Sequence, residues 1–344
     1  MPAEWERHEA TWIGWPHNRG DWPGKLPATG WVFAEMVRKI APGEIVRIIV
    51  QSKEHEASAR RMLARAHADL GQVEFFRWPT DRSWSRDFGP ICVRRGGDNP
   101  EVAIARFQFT AWGYKHPNWR KDNRVPERVA RALGLRTFDA RAGGQLFALE
   151  GGGIEVNGAG TLLTTEECFQ HPTVQVRNPG AGKEVYERVL RDYLGATHVL
   201  WLGEGIVGDD THGHVDDLCR FVSRDTVVLI QEGDEGDVNY RPLRENRRRL
   251  EGMRLQDGGP VKVVPLPCPA PLYHRGMRLP ASYANFYIAN AAVIVPTFND
   301  PADRVALGTL AELFPGRSVV GIHAVDLVLG FGTLHCLTQQ QPAP

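Results

Sequence analysis

The chain has 344 residues in which 41 Lys and Arg balance 41 Asp and Glu, so no global field draws it to nucleic acid or to an anionic membrane. No apolar stretch approaches the roughly 18 charge-free residues that would span a bilayer. Cys92, Cys168, Cys219, Cys268 and Cys336 form no CxxC pair and are odd in number, which points to reduced thiols in a cytoplasmic protein. The opening MPAEWERHEATWIGWP has early acids and no apolar run, so a secretion signal is not expected.

Residues 1–31 are crowded with indoles, Trp5, Trp12, Trp15, Trp22 and Trp31, expected to pack at a pocket mouth or an interface. Glu9–Trp15 reads as a short strand, and 17–30 as loop from its Gly, Pro and Asn content. Helix is expected over 32–40, a buried strand over 45–50, helix over 53–70 and strand over 73–78. After Trp84-Ser85-Arg86-Asp87-Phe88-Gly89-Pro90, two strands (91–94 and 102–109) flank a Gly-Asp-Asn-Pro turn and form a hairpin. A helix follows over 125–135.

A second hairpin joins strands 151–156 and 161–165 through Asn157-Gly158, followed by a helix over 183–194 and a strand over 198–202. A third joins 218–222 to 226–231, with a helix near 243–253 and a strand over 261–266. Here Arg241 to Arg249, with Glu245 and Glu251 at helical spacing, reads as a solvated helix face, not a nucleic-acid patch. A fourth joins 283–288 to 292–296, before a helix near 302–313 and a strand over 319–322.

These hairpins recur at intervals of roughly 65 residues, the mark of a repeated ββαβ unit in a closed array. A terminal strand at 334–338 pairing with 9–15 would complete a fifth unit and protect the sheet edges. Asp87, Glu150, Asp216 and Asn285 each stand just ahead of, or at, the first strand of a unit, which implies one shared central site.

The segment Gly208-Asp209-Asp210-Thr211-His212-Gly213-His214-Val215-Asp216-Asp217 packs four carboxylates and two imidazoles into ten residues without a Lys or Arg. A cation from elsewhere is expected opposite it. One reading makes it a metal centre, since alternate strand positions would put His212 and His214 on one face with Asp residues to complete the shell. The chain would then be a metal-dependent hydrolase, although no second histidine cluster with ligand spacing accompanies it. Gly203-Glu204-Gly205-Ile206-Val207-Gly208 matches GxGxxG after a strand, but the acids that follow would repel a phosphate. Gly151-Gly152-Gly153 reads as a close-approach device behind Glu150. Cys336, after a loop with glycines at 330 and 332, is the candidate nucleophile; the other cysteines read as structural.

Six ordered blocks now stand together: MPAEWERHEATWIGWP, WSRDFGP, LEGGGIEVNGAGTLLTTEECF with RNP after it, GDDTHGHVDD, SYANFYIANAAVIVPTF and GTLHCLTQQQP. Across the whole chain they resemble the agmatine deiminase and bacterial peptidyl-arginine deiminase family of guanidine-modifying enzymes. The resemblance implies a five-bladed α/β propeller (pentein) over residues 1–344 as one domain, with neither metal nor cofactor and with a homodimer as the family's habit.

It also implies a small cationic guanidine substrate, with agmatine going to N-carbamoylputrescine and ammonia. A free or C-terminal peptidyl arginine is the second substrate, and needs a cation that no motif names. Cys336 matches the nucleophile, His214 the general acid and base, and Asp87 and Asp216 the carboxylates that grip the guanidinium. Glu150 matches a further acid of the pocket, Trp84 an aromatic wall over the substrate stem, and Asn285 a substrate contact. A guanidinium stays protonated, so two carboxylates can hold it by paired hydrogen bonds with its carbon near sulfur. The chain departs from the family pattern at His212, usually Asp, at Phe331, usually a third glycine, and at Thr333, usually Asn. His212 and Phe331 are expected to reshape the end of the pocket that reads the substrate tail. A propeller without activity, used as a binding module, is disfavoured by the intact set of Cys336, His214, Asp87 and Asp216.

Overall fold

In the computed structural model, which describes residues 1–344, parallel strands are joined by helices that cross over between them. Ile45–Val50, reading IVRIIV, is apolar on both faces as a strand buried on two sides must be. It pairs in parallel with His8–Gly14 on one side and Val73–Arg77 on the other. Gln339–Pro342 adds antiparallel to His8–Gly14 and completes a four-stranded sheet.

Four three-stranded sheets repeat one plan: an antiparallel hairpin, a helix, then a strand parallel to the second. Their strands are Ile91–Arg95, Glu101–Arg106 and Arg136–Asp139; Glu155–Val156, Thr161–Thr165 and His198–Leu202; Cys219–Phe221, Thr226–Gln231 and Lys262–Pro267; and Tyr287–Ile288, Ala292–Thr297 and Ser318–His323. The helices between the parallel strands are Val125–Leu133, Lys183–Leu194, Tyr240–Gly252 and Ala302–Leu313. The α/β class and the four hairpins therefore stand where the sequence puts them. No helix is long and apolar enough to cross a membrane.

Several boundaries differ for local reasons. The first helix runs Leu26–Ile40, starting six residues before the expected 32, because Pro27 suits a first helical turn. The second, Lys53–Arg65, is capped by Ser52 and stops short of 70, since His67 takes a left-handed φ of 56°. Gly151–Gly153 is a 3-10 turn, so only Glu155–Val156 remains strand. Within 283–288 only Tyr287–Ile288 pairs. The terminal strand is not 334–338: Thr338 folds back, its N–H donating to the His335 carbonyl at 3.0 Å and its hydroxyl to that of Leu334 at 3.0 Å. Pairing begins only at Gln339. The expected partner is right and the register is later.

A buried ionic knot ties the sheets together. Arg220 is fully buried, with Nε donating to Glu155 Oε2 at 2.8 Å, Nη2 to Glu4 Oε1 at 2.9 Å and Nη1 to the Phe286 carbonyl at 2.6 Å. Replacing it with an apolar residue strands the buried Glu155 carboxylate and takes one of the cations from Glu4, so Arg220→Met is expected to cost about 3–5 kcal/mol of stability. Urea denaturation of the variant against the parent checks this, and a loss below about 1 kcal/mol would contradict it.

Candidate active site

Each of these five larger sheets sends the segment before one of its strands to one place. Asp87 precedes Ile91–Arg95, Glu150 and Gly152 precede Glu155–Val156, and His214, Asp216 and Asp217 precede Cys219–Phe221. Asn285 precedes Tyr287–Ile288, and Cys336 precedes Gln339–Pro342. The short helical turn Ser85–Phe88 carries Asp87 and is stitched to the thiol's turn, with Arg86 N donating to the Cys336 carbonyl at 3.1 Å and Ser85 Oγ to the Leu337 carbonyl at 2.6 Å. Gly152 is required by crowding: a Cβ there would lie 2.6 Å from His214 Nδ1 and 2.9 Å from Asp87 Oδ1. The close-approach reading of the glycine run holds.

Trp84, Asp87, Phe331 and Cys336 line one cleft, with Trp112, Asp21, Arg82, His116, Asp210 and Thr211 extending it. His214 lies buried beside it, with Nδ1 3.7 Å from Asp87 Oδ1 and Nε2 3.7 Å from Glu150 Oε2. Asp216 Oδ2 is 3.7 Å from Cys336 Sγ. Glu150 is held by Arg177, whose Nε donates at 3.1 Å to Oε2.

Two expected contacts lie elsewhere. Asn285 stands behind the thiol, donating to Cys336 Sγ at 3.1 Å and to Asp217 Oδ1 at 2.9 Å. Its Oδ1 accepts from Thr333 Oγ1 at 2.7 Å and from His335 N at 3.1 Å, so it holds the 333–336 turn and does not line the cleft. His212 also leaves the cleft: its φ of 66° is left-handed, not strand, and turns the ring towards Glu167 Oε1 at 3.3 Å and His171. The shared strand face proposed for His212 and His214 does not form.

The electrostatics follow from burying acids together. Burial pushes Asp87 up to about 6, with Asp216 and Glu150 adding to the rise and His214 and Trp112 opposing it. Burial disfavours the charged imidazole of His214, yet Asp87, Cys168 and Glu150 outweigh it and hold the group well above its ordinary range. Burial, then Asp216, Asp217 and Asp87, push the Cys336 thiol well above its ordinary range. Without a bound cation the site therefore stores a thiol and an imidazolium.

Sequence reasoning missed Trp112, whose Nε1 donates to Asp87 Oδ2 at 2.9 Å. It sits in a run of four left-handed residues, Ala111 (φ 50°), Trp112 (57°), Gly113 (72°) and Tyr114 (64°), a costly backbone that no periodic pattern announces. Arg177 and the cleft-lining charges Asp21 and Arg82 were missed too. Of these only Arg177 had a signal, in the RNP block.

A family model described as Porphyromonas-type peptidyl-arginine deiminase matches residues 1–342. The chain belongs to that family. An agmatine deiminase of Pseudomonas aeruginosa (strain LESB58) is 36% identical, the match covering 100% of this chain and 95% of that one. Among solved structures, the agmatine deiminase of Enterococcus faecalis superposes with a TM-score of 0.88 at 31% identity, covering 99% of this chain and 95% of that one. A cysteine-to-serine variant of the C. jejuni agmatine deiminase with substrate bound gives 0.86 at 30% identity, with the same coverage of each chain.

In this family member the raised thiol is directly measurable. Iodoacetamide at pH 7 is expected to alkylate Cys336 at least about tenfold more slowly than a free cysteine, the rate still climbing above pH 9. Mass spectrometry of the modified peptide against pH checks this; a plateau below pH 8 would contradict it.

Proposed function

We propose that this chain is an agmatine deiminase, a hydrolase acting on a C–N bond that converts agmatine and water to N-carbamoylputrescine and ammonia. The observation that carries it is the convergence of a thiol, an imidazole and buried carboxylates from four separate segments. The end-to-end match to agmatine deiminases supports it. We take residues 1–344 as one cytoplasmic domain, with the five sheets as blades of a propeller around the cleft.

In this reading Asp87 and Asp216 hold the guanidinium by charge-assisted hydrogen bonds, with Trp84 along its stem. The arriving cation offsets the carboxylates that keep the thiol protonated, so Cys336 releases its proton to solvent and becomes a thiolate. Sulfur attacks the guanidinium carbon, and His214 gives its proton to the departing nitrogen, which leaves as ammonia. The product of this step is a thiouronium on Cys336. His214, now neutral, takes a proton from water as that water adds to the same carbon. The C–S bond then breaks as the added hydroxyl passes its proton to the departing sulfur, releasing the ureido product and restoring the Cys336 thiol. Glu150, fixed by Arg177, steadies the imidazolium form of His214 from the side away from Asp87.

The other charged residues of the cleft bear on the substrate tail. Asp21 and Asp210 line the cleft and suit the ammonium of agmatine. Burial, against the pull of Arg82, pushes Asp21 up to about 7. A second reading, a guanidine bearing a carboxylate such as arginine, is favoured by Arg82, the cation the sequence left unnamed. Arg82 lines the cleft and is ion-paired to Asp21.

Ureido-product formation from agmatine and from arginine, with chelator present, decides between them. Agmatine is expected to turn over with kcat/KM at least about tenfold above arginine, and Cys336→Ala to be inactive. Arginine as the better substrate, lost on Arg82→Met, would establish the second reading. Asp87 must be ionised to grip the substrate, so kcat/KM is expected to fall as pH drops through about 6. In Trp112→Phe, which removes a hydrogen bond to the carboxylate, that limb should move to higher pH. An unmoved limb would separate it from Asp87.

A further inference from the structure

Beside Cys336 in sequence, His335 turns its ring away from the cleft and is almost fully buried. Nδ1 lies 2.6 Å from Asp216 Oδ2, and Nε2 lies 2.8 Å from Glu4 Oε2. Ionised carboxylates only accept hydrogen bonds, so both contacts require a ring N–H. Asp216 has no other polar side chain to fix it: its Oδ1 has no hydrogen-bond partner, and its Oδ2 has only His335 and the 3.7 Å approach of Cys336. Glu4, by contrast, is anchored four ways. Besides His335 it accepts from Arg220 Nη2 at 2.9 Å, Arg86 Nη2 at 3.1 Å and Ile288 N at 2.9 Å.

We propose that His335 is the positioning residue that sets the Asp216 carboxylate for the substrate guanidinium, and that Glu4 completes the site by fixing the His335 ring. The inference rests on the reading that Asp216 grips the guanidinium. It adds two residues that never touch substrate, one of them on the N-terminal segment far from the thiol in sequence. The geometry has a directional logic. Arg220 and Arg86 fix Glu4, Glu4 fixes one ring nitrogen, and the other nitrogen fixes the rotation of Asp216. The 333–336 turn, clamped by Asn285 Oδ1, points the thiol into the cleft and the imidazole behind it from adjacent residues. Burial alone would raise Asp216, and the hydrogen bond from His335 leads the effects that bring it below its ordinary range. The same contact thus sets both the charge and the orientation of the carboxylate.

Two amide substitutions separate positioning from plain structural support. The amide nitrogen of Asn falls near the place of Nδ1, and that of Gln near the place of Nε2. His335→Asn keeps a donor for Asp216, whereas His335→Gln keeps one for Glu4 and abandons Asp216. The agmatine KM is expected to stay within about threefold of the parent in His335→Asn and to rise about tenfold or more in His335→Gln, at comparable melting temperatures. Equal KM in the two variants, or unchanged KM with a lowered melting temperature, would make His335 a structural residue and overturn the proposal.

Agmatine dissociation constants, measured by calorimetry in a Cys336→Ala background, should separate Asn from Gln in the same order. That arm needs no turnover, so a parent enzyme silent in the assay defeats the proposed function while the binding comparison still tests His335. Should His335→Gln not fold, Glu4→Gln removes the charge facing Nε2 and is expected to weaken binding about threefold or more. Unchanged binding there would equally overturn the proposal.

Discussion

Burying several carboxylates around one thiol is the constraint on which the rest of this structure depends. Asp87, Glu150, Asp216 and Asp217 are all buried, and isolated charges so placed would cost far more than a domain's net stability. The fold answers with cations on the side away from the cleft. Arg177 meets Glu150, His335 meets Asp216, and Arg220 with Arg86 meets Glu4 behind them. Asp87 receives only neutral donors at hydrogen-bond distance, Trp112 Nε1 and Gly152 N, with His214 further off at 3.7 Å. That is why its carboxyl is raised to about 6 while Glu150 and Asp216 are lowered. The acids left without a close protein cation are Asp217, held by the neutral Asn285 amide, and Asp87, the one that lines the cleft.

The same imbalance couples binding to chemistry. A thiol among carboxylates resists ionisation, and an imidazole between Asp87 and Glu150 resists losing its proton. In the proposed reaction a guanidinium would reverse both tendencies in order, first drawing out the thiolate and then accepting its attack. A neutral molecule in the cleft supplies no such compensation. On that reading, selectivity for cations rests on the proton affinities of Cys336 and His214 as well as on shape.

Much of the fold was legible because its elements obey local rules. Helices Lys183–Leu194 and Ala302–Leu313 and strands His198–Leu202 and Thr226–Gln231 match the periodicity to the residue. The terminal strand was misplaced because Gln339–Pro342 is polar and buried, an inversion of the pattern that marks a strand. In the site, residues at the starts of hairpins were legible because the repeat puts them in equivalent places. His212 misled because alternation with His214 assumes an extended backbone, which a left-handed φ breaks. Trp112 was invisible for a related reason, lying in irregular chain whose conformation tertiary contacts alone dictate. His335 was hidden by its neighbour, since a turn sends adjacent side chains to opposite sides of the backbone.

Phe331 brings these strands together. It holds a φ of 65° between Gly330 and Gly332, at a position where the family pattern has glycine. A side chain there costs on the order of 1 kcal/mol that glycine would avoid. Its flanking glycines are crowded by the pocket wall: a Cβ at 330 would meet Trp22 Nε1 at 2.6 Å, and one at 332 would meet Trp84 at 2.9 Å. Only the middle position has room for a side chain, and that side chain lines the cleft. The backbone cost is thus confined to the one site in the loop where a phenyl ring can narrow the passage to Cys336. Together with Arg82, which also lines the cleft, it sets this wall apart from the one that Asp87 and Cys336 form.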